Sequence, residues 1–223
     1  MRKLFIASNN AHKIEEIDEI LKMNDVHIEL ICPKDMEHFD EPIEDGDSFE
    51  ENAYIKAKYY HDLFGFPTIA DDSGICIDYF GGKPGIHSAR FLPNMNYKEK
   101  CAYIVDVMKG VSQRGARFVD CLCFIDKNNE VHYYKGVNEG QIAQAPAGEK
   151  GFGYDPIFLI PEYNKTEAEL GEEYKNVYSH RAKALKEWII DAKEKKKKNT
   201  VYTGIGIICV ICHPFFCSLL VLQ

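Results

Sequence analysis

The sequence predicts an α/β protein built on a mixed sheet, and three stretches predict it. Lys3 to Ala7 reads as a short strand, and His12 to Met23 carries Ile14, Ile17, Ile20 and Leu21 at helical spacing after a polar turn. Ile69-Ala70 is an apolar run that meets Asp71-Asp72-Ser73-Gly74, read as a buried strand stopping in a turn and delivering two acids to a sheet edge. Ala116 to Asp126 and Val131 to Val137 flank Lys127-Asn128-Asn129-Glu130 as an antiparallel hairpin.

Taken in order, the first helix follows Ser8-Asn9-Asn10-Ala11. Free backbone N–H groups at its start, with Lys13, make an anion site, although Ser and Asn serve equally as ordinary caps. Val26 to Ile31 is a second strand, followed by an acidic loop from Asp35 to Asp47 that contains Glu41 and Glu44. Ser48-Phe49-Glu50-Glu51 is a capping box opening a helix that Gly65 and Pro67 end. Asn52 and Lys56 lie four apart on one face of it, where the lysine reaches a phosphate or forms a surface pair.

Beyond the two acids, Ile75 to Tyr79 reads as a strand and Gly81 to Phe91 as a glycine-rich loop ending in Arg90. That loop lacks the Lys-Ser/Thr ending of a P-loop. Asn96 to Met108 is a capped helix stopped at Gly110. Gly151-Phe152-Gly153-Tyr154-Asp155-Pro156 sets two rings between glycines, suited either to stacking a planar base or to pinning a loop into the core. Asp155 could then accept from ring N–H groups. After Lys175, Ser179 caps a helix whose stripe includes Leu185, Trp188 and Ile189. His180 and Arg181 in its first turn oppose the helix dipole, which a bound anion or carbonyl acceptor relieves.

With 35 acids against 27 bases in 223 residues, the net charge of -8 argues against a general duplex-binding surface, local basic pockets aside, and favours a small anionic ligand over a nucleic-acid polymer. Met1-Arg2-Lys3 precedes too short an apolar run for a signal peptide, so a cytoplasmic protein is expected. Cys32, Cys76, Cys101, Cys121 and Cys123 lack metal-ligand spacing and are expected as reduced thiols. The expected domain is 1–198. The tail, 199–223, is free of Asp, Glu, Lys and Arg from Val201 to Leu222 and is long enough to span a bilayer. It reads as a membrane anchor or as the product of a misplaced reading-frame end, which the central Pro214 favours. Cys209-Val210-Ile211-Cys212-His213 has the spacing of a c-type haem attachment site, but without a secretory signal no haem is expected.

Ligands of open α/β sheets sit beyond the carboxyl ends of the strands, where paired acids hold a hard cation such as Mg2+ beside a substrate. The chain carries Ser8-Asn9-Asn10 with Lys13, Glu51-Asn52-Ala53 with Lys56, and Asp71-Asp72-Ser73-Gly74. Then follow Pro84-Gly85 with Ser88-Ala89-Arg90, Phe152-Gly153-Tyr154-Asp155-Pro156 and Ser179-His180-Arg181. In this order the motifs resemble the inosine triphosphate pyrophosphatase family over roughly residues 1 to 195. The resemblance implies an elongated α/β protein, a mixed twisted sheet flanked by helices, with a cleft between two lobes, and a homodimer.

It further implies Mg2+-dependent hydrolysis of non-standard purine nucleoside triphosphates (ITP, dITP, XTP) to the monophosphate and pyrophosphate. By position, Ser8, Asn9, Asn10, Ala11, His12 and Lys13 hold the triphosphate with Lys56. Glu44 and Asp72 bind metal, Asp72 is the general base, and Ser73 lies beside the substrate. Phe152, Gly153, Tyr154, Asp155, Lys175, His180 and Arg181 hold the nucleotide and its base, with Arg181 or protonated His180 donating to the 6-oxo group. Two rivals stand beside it: a Mg2+-dependent phosphatase releasing orthophosphate, and a nucleotide-binding, membrane-tethered module without turnover.

Overall fold

A computed structural model describes residues 3–36 and 40–211 and divides the chain into two compact units, Met1–Glu187 and Trp188–Gln223. The first unit is built on seven strands: β1 (Lys3–Ile6), β2 (Glu29–Ile31), β3 (Thr68–Ile77), β4 (Gly115–Ile125), β5 (Val131–Ile142), β6 (Phe158–Ile160) and β7 (Lys165–Thr166). They form one sheet in the order β2-β1-β3-β4-β5-β6-β7. β1 is parallel to β2 and β3, and every pair from β3 to β7 is antiparallel, so the sheet is mixed as expected.

The helices are α1 (Ala11–Met23), α2 (Phe49–Phe64), α3 (Tyr97–Val107), α4 (Glu167–Leu170), α5 (Glu172–Tyr178) and α6 (His180–Ile211). Their starts follow the local chemistry. Asn10 Oδ1 accepts from His12 N at 3.1 Å, Ser48 Oγ from Glu51 N at 3.1 Å, and Ser179 Oγ from Ala182 N at 3.1 Å. α2 ends at Gly65, whose left-handed φ of 69° is the ordinary helix stop. Two apolar clusters cover the sheet. Phe5, Ala70 and Cys123 pack with Ala53, Ala57 and Tyr60 of α2 on one side, and Ile75, Ile77 and Phe118 with Ile104 of α3 on the other.

One expectation is overturned here. Asp71-Asp72-Ser73-Gly74 is no turn at a sheet edge but the middle of β3, a central strand. β4 supplies a partner to every residue from Thr68, opposite Ile125, to Ile77, opposite Ala116, and that ladder overrides the turn tendency of Asp, Ser and Gly. The supposed second strand at Ile75 is the continuation of the same one. β1, however, pairs only Thr68 and Ile69. Past that point the β1 side of β3 is open until Pro84 bridges to Cys76, and the opening is where the acids lie.

β6, β7, α4 and α5 were not foreseen, being too short to show a period. Among the described residues no helix is long and apolar enough to cross a membrane. The anchor and haem-spacing expectations fall on the tail, 199–223, whose side chains lie outside the described ones.

Candidate active site

A cavity of about 340 Å³ opens where β1 stops. It gathers Ser8, Asn9, Asn10 and Lys13 from the start of α1, Glu44 from the acidic loop, Lys56 from α2, and Asp72 and Ser73 from β3. Phe152, Gly153, Tyr154, Asp155, Lys175, His180 and Arg181 close it. Of the residues to which the resemblance gives a role at the substrate or metal, only Ala11 and His12 do not line it. Ala11 is exposed at the first position of α1, and the His12 ring lies parallel to Phe152, 5.2 Å between centroids.

Strand alternation sends the adjacent carboxylates to opposite faces of the sheet. Asp71 meets Lys13 Nζ at 2.9 Å and Arg181 Nη2 at 2.9 Å, both on Oδ2. Burial alone would raise its pKa, but the charges of Lys13, Arg181 and Lys56 win and hold it well below the usual carboxylate range. Asp72 faces α2 instead. It accepts from Asn52 Nδ2 at 3.2 Å and lies 3.7 Å from Lys56 Nζ. Burial pushes its carboxyl above the ordinary range, Glu44 adds to that push, and Lys56, Lys13 and Asn52 offset it only in part. Asp71 is therefore a spent, ion-paired acid and Asp72 an available one.

The acidic loop is strapped down beside Asp72. Asn52 Oδ1 accepts from Gly46 N at 2.9 Å, Glu51 Oε2 from Asp47 N at 2.7 Å, and both Arg90 Nη atoms donate to Glu44 O at 3.2 Å. The capping box thus returns one residue upstream of its expected target. Lys56 Nζ sits 3.0 Å from Glu44 Oε2, so two carboxylates converge on one ammonium. Glu44 and Asp72 thus offer carboxylate oxygens of like charge around one cation, the kind of donor a hard divalent ion takes. Among the described residues the one three-residue group at metal-binding distance, Asp126, Glu130 and His132, lies on the β4–β5 hairpin, outside the cavity lining.

The far wall is a buried ion network. Lys175 Nζ bridges Glu16 Oε1 at 2.5 Å and Asp155 Oδ2 at 2.7 Å, and Arg181 joins Glu16 to Asp71 and donates to Ser73 Oγ at 3.1 Å. Asp155 also accepts from Phe152 N at 2.9 Å, which folds the glycine-flanked loop onto it. The two rings of that loop part company. Phe152 remains half-buried under Lys175, 4.6 Å from its centroid, while Tyr154 is a core residue whose hydroxyl donates to Ser88 O at 2.8 Å.

His180 corrects a second expectation. It is wholly buried against Phe118, with ring centroids 4.8 Å apart, and its Nδ1 has no partner. Burial, then the charges of Arg181 and Lys175, press its pKa well below 6.5, so the ring is neutral, not a protonated donor.

Glu16 and Asp120 stand behind the cavity lining, Glu16 against Lys175 and Arg181 and Asp120 opposite Ser73, and were missed. Glu16 stands beside Ile17 on the buried stripe of α1, and burial is outweighed by Arg181 and Lys175, which lower its pKa. Asp120 faces Ser73 across the β3–β4 pair, and burial, then the Asp71 charge, raise its pKa well above the ordinary value. The available signal was the same in both: an acid interrupting an apolar pattern.

The Ham1 family model matches residues 4–190. A dITP/XTP pyrophosphatase of Treponema denticola is 40% identical over 188 residues, spanning 82% of this chain and 94% of the relative. One of Dictyoglomus thermophilum is 45% identical over 184 residues, spanning 81% and 89%. Among solved structures, the Staphylococcus aureus Ham1 protein matches with a TM-score of 0.77 at 33% identity, over 87% of this chain and 100% of that one. A HAM1 protein from Coxiella burnetii gives 0.78 at 34% identity over the same shares.

Proposed function

The chain belongs to the Ham1 family, and from that premise we propose how its cavity works as a pyrophosphatase. The enzyme hydrolyses non-standard purine nucleoside triphosphates, ITP, dITP and XTP, to the monophosphate and pyrophosphate. The observation that carries the residue assignment is the contrast between neighbours, Asp71 neutralised by two cations and Asp72 with a raised pKa facing the cavity.

In this reading Asp72 orients a water and takes its proton as the oxygen bonds to the α-phosphorus and the bond to the pyrophosphate oxygen breaks. Lys13, Lys56 and the α1 amino-terminal N–H groups hold the phosphates and offset charge building on them. Glu44 and Asp72 would hold Mg2+, which supplies a Lewis acid beside those phosphates. Phe152 stacks the base, Asp155 and Lys175 meet its polar edge, and neutral His180 lies behind. Arg181 is oriented by Asp71, Glu16 and Ser73. The enzyme acts in the cytoplasm as a homodimer, with residues 1–198 as its catalytic domain.

The test is product release from ITP, XTP, dITP, ATP and GTP with and without Mg2+. Pyrophosphate from the first three, dependent on the metal, is expected. Orthophosphate as the sole product would replace this reading with terminal phosphate removal.

A further inference from the structure

Behind the Asp155–Lys175 pair lies a carboxyl group that the mechanism leaves unused. Glu167, the first residue of α4, is completely buried. Its Oε1 accepts from Asn138 Nδ2 of β5 at 2.6 Å, while Oε2 is buried without a hydrogen-bond partner. Around it stand Asp155, Lys175 and Tyr174 of α5, Glu16 of α1 and Lys183 of α6. Lys175 is already shared by two anions, Glu16 and Asp155, and Lys183 donates to Val137 O at 2.7 Å. An ionised Glu167 would be a third anion around one lysine, with an oxygen facing nothing.

We infer that Glu167 is a positioning residue for base recognition: uncharged, it leaves Lys175 held between Asp155 and Glu16, and its ionisation weakens the hold on an oxo-purine. The inference rests on the reading of Asp155 and Lys175 as the groups that meet the base. The added negative charge acts on the side of the cavity that must receive a carbonyl oxygen, so the penalty falls on binding more than on turnover. Burial, then the Asp155 charge, push the Glu167 carboxyl up to about 8, which puts the change in the mildly alkaline range.

The experiment uses the full chain. KM and kcat for ITP are followed over roughly pH 6.5 to 9.5 in wild type and Glu167→Gln, alongside a carbon-13 titration of the glutamate carboxyls in wild type. The expected result is a wild-type KM that climbs at least about threefold above that of the variant across this range, with parallel kcat profiles. One glutamate carboxyl should titrate near pH 8 and vanish from the spectrum of the variant. Superimposable KM profiles overturn the inference. If the variant does not fold, the wild-type spectrum decides, and the absence of any glutamate titrating above neutrality overturns it. Asp155→Asn separates the two failures: a lost preference for ITP over ATP keeps the base reading while the inference falls, and an unchanged preference means the base reading itself is wrong.

Discussion

Asp71 and Asp72 share a peptide bond and are treated in opposite ways, one neutralised by Lys13 and Arg181, the other kept short of counter-charge. Asp72→Asn should leave the fold intact and lower turnover by about a hundredfold or more, the scale of a lost general base. Steady-state rates on ITP with a circular-dichroism control check this. Arg181 is a poorer target than its place in the sequence suggests. Removing the guanidinium leaves the buried Asp71 with Lys13 and the buried Glu16 with Lys175 as their remaining cations, so Arg181→Ala should cost about 3 kcal/mol of stability, read from urea unfolding. Arg181→Lys keeps the charge and is the variant in which ITP and ATP kinetics report on the base. The acids aimed at solvent or ligand were visible in the sequence because they sit in loops and motif positions. Glu16 and Asp120 left only a faint mark, an acid at an apolar position, because the partners that give them their role, Lys175 and Arg181 for one and Asp71 for the other, come from distant segments.

β5 and the start of α6 touch at Gly136, where a Cβ would come 1.8 Å from His180 O. Only a residue without a side chain lets the helix that carries His180 and Arg181 lie this close to the sheet. Gly136→Ala should therefore destabilise the protein by about 1–3 kcal/mol and reduce kcat/KM on ITP by shifting both residues together. Thermal melting and kinetics on the same sample test the pairing; a stable variant with unchanged kinetics would show that the contact relaxes freely. Helix ends were legible because caps are local: Asn10, Ser48 and Ser179 each bond within three residues. The course of β3 was not. Asp-Asp-Ser-Gly carries turn chemistry in its own sequence, and the ladder that straightens it comes from β4, more than forty positions along.

At the scale of the molecule, the ion network ties α1, β3, α5 and α6 into one body, and its dependence on pH follows from the direction of each shift. Glu16 and Asp71 have lowered pKa values in the fold, so their stabilisation is present above the ordinary carboxylate range and is lost as pH falls through the folded values. The urea midpoint should drop on acidification below about pH 4, and the gap between wild type and Glu16→Gln should narrow over the same interval. Truncation after Lys198 should keep ITP turnover, because the last residue of the cavity is Arg181, and should abolish any sedimentation with membranes. β3 carries a further consequence, for the tolerance of the gene to small insertions and deletions. A codon gained in the loops at 40–47 or 81–91 lengthens a connection. A codon gained just before Asp71 would slide the following residues by one place and turn each to the other face. The inserted residue would take the place of Asp71 between Lys13 and Arg181, Asp71 would face the acidic loop, and Asp72 would stand where Ser73 meets the guanidinium. Selection on this stretch therefore acts on its phase as much as on its residues.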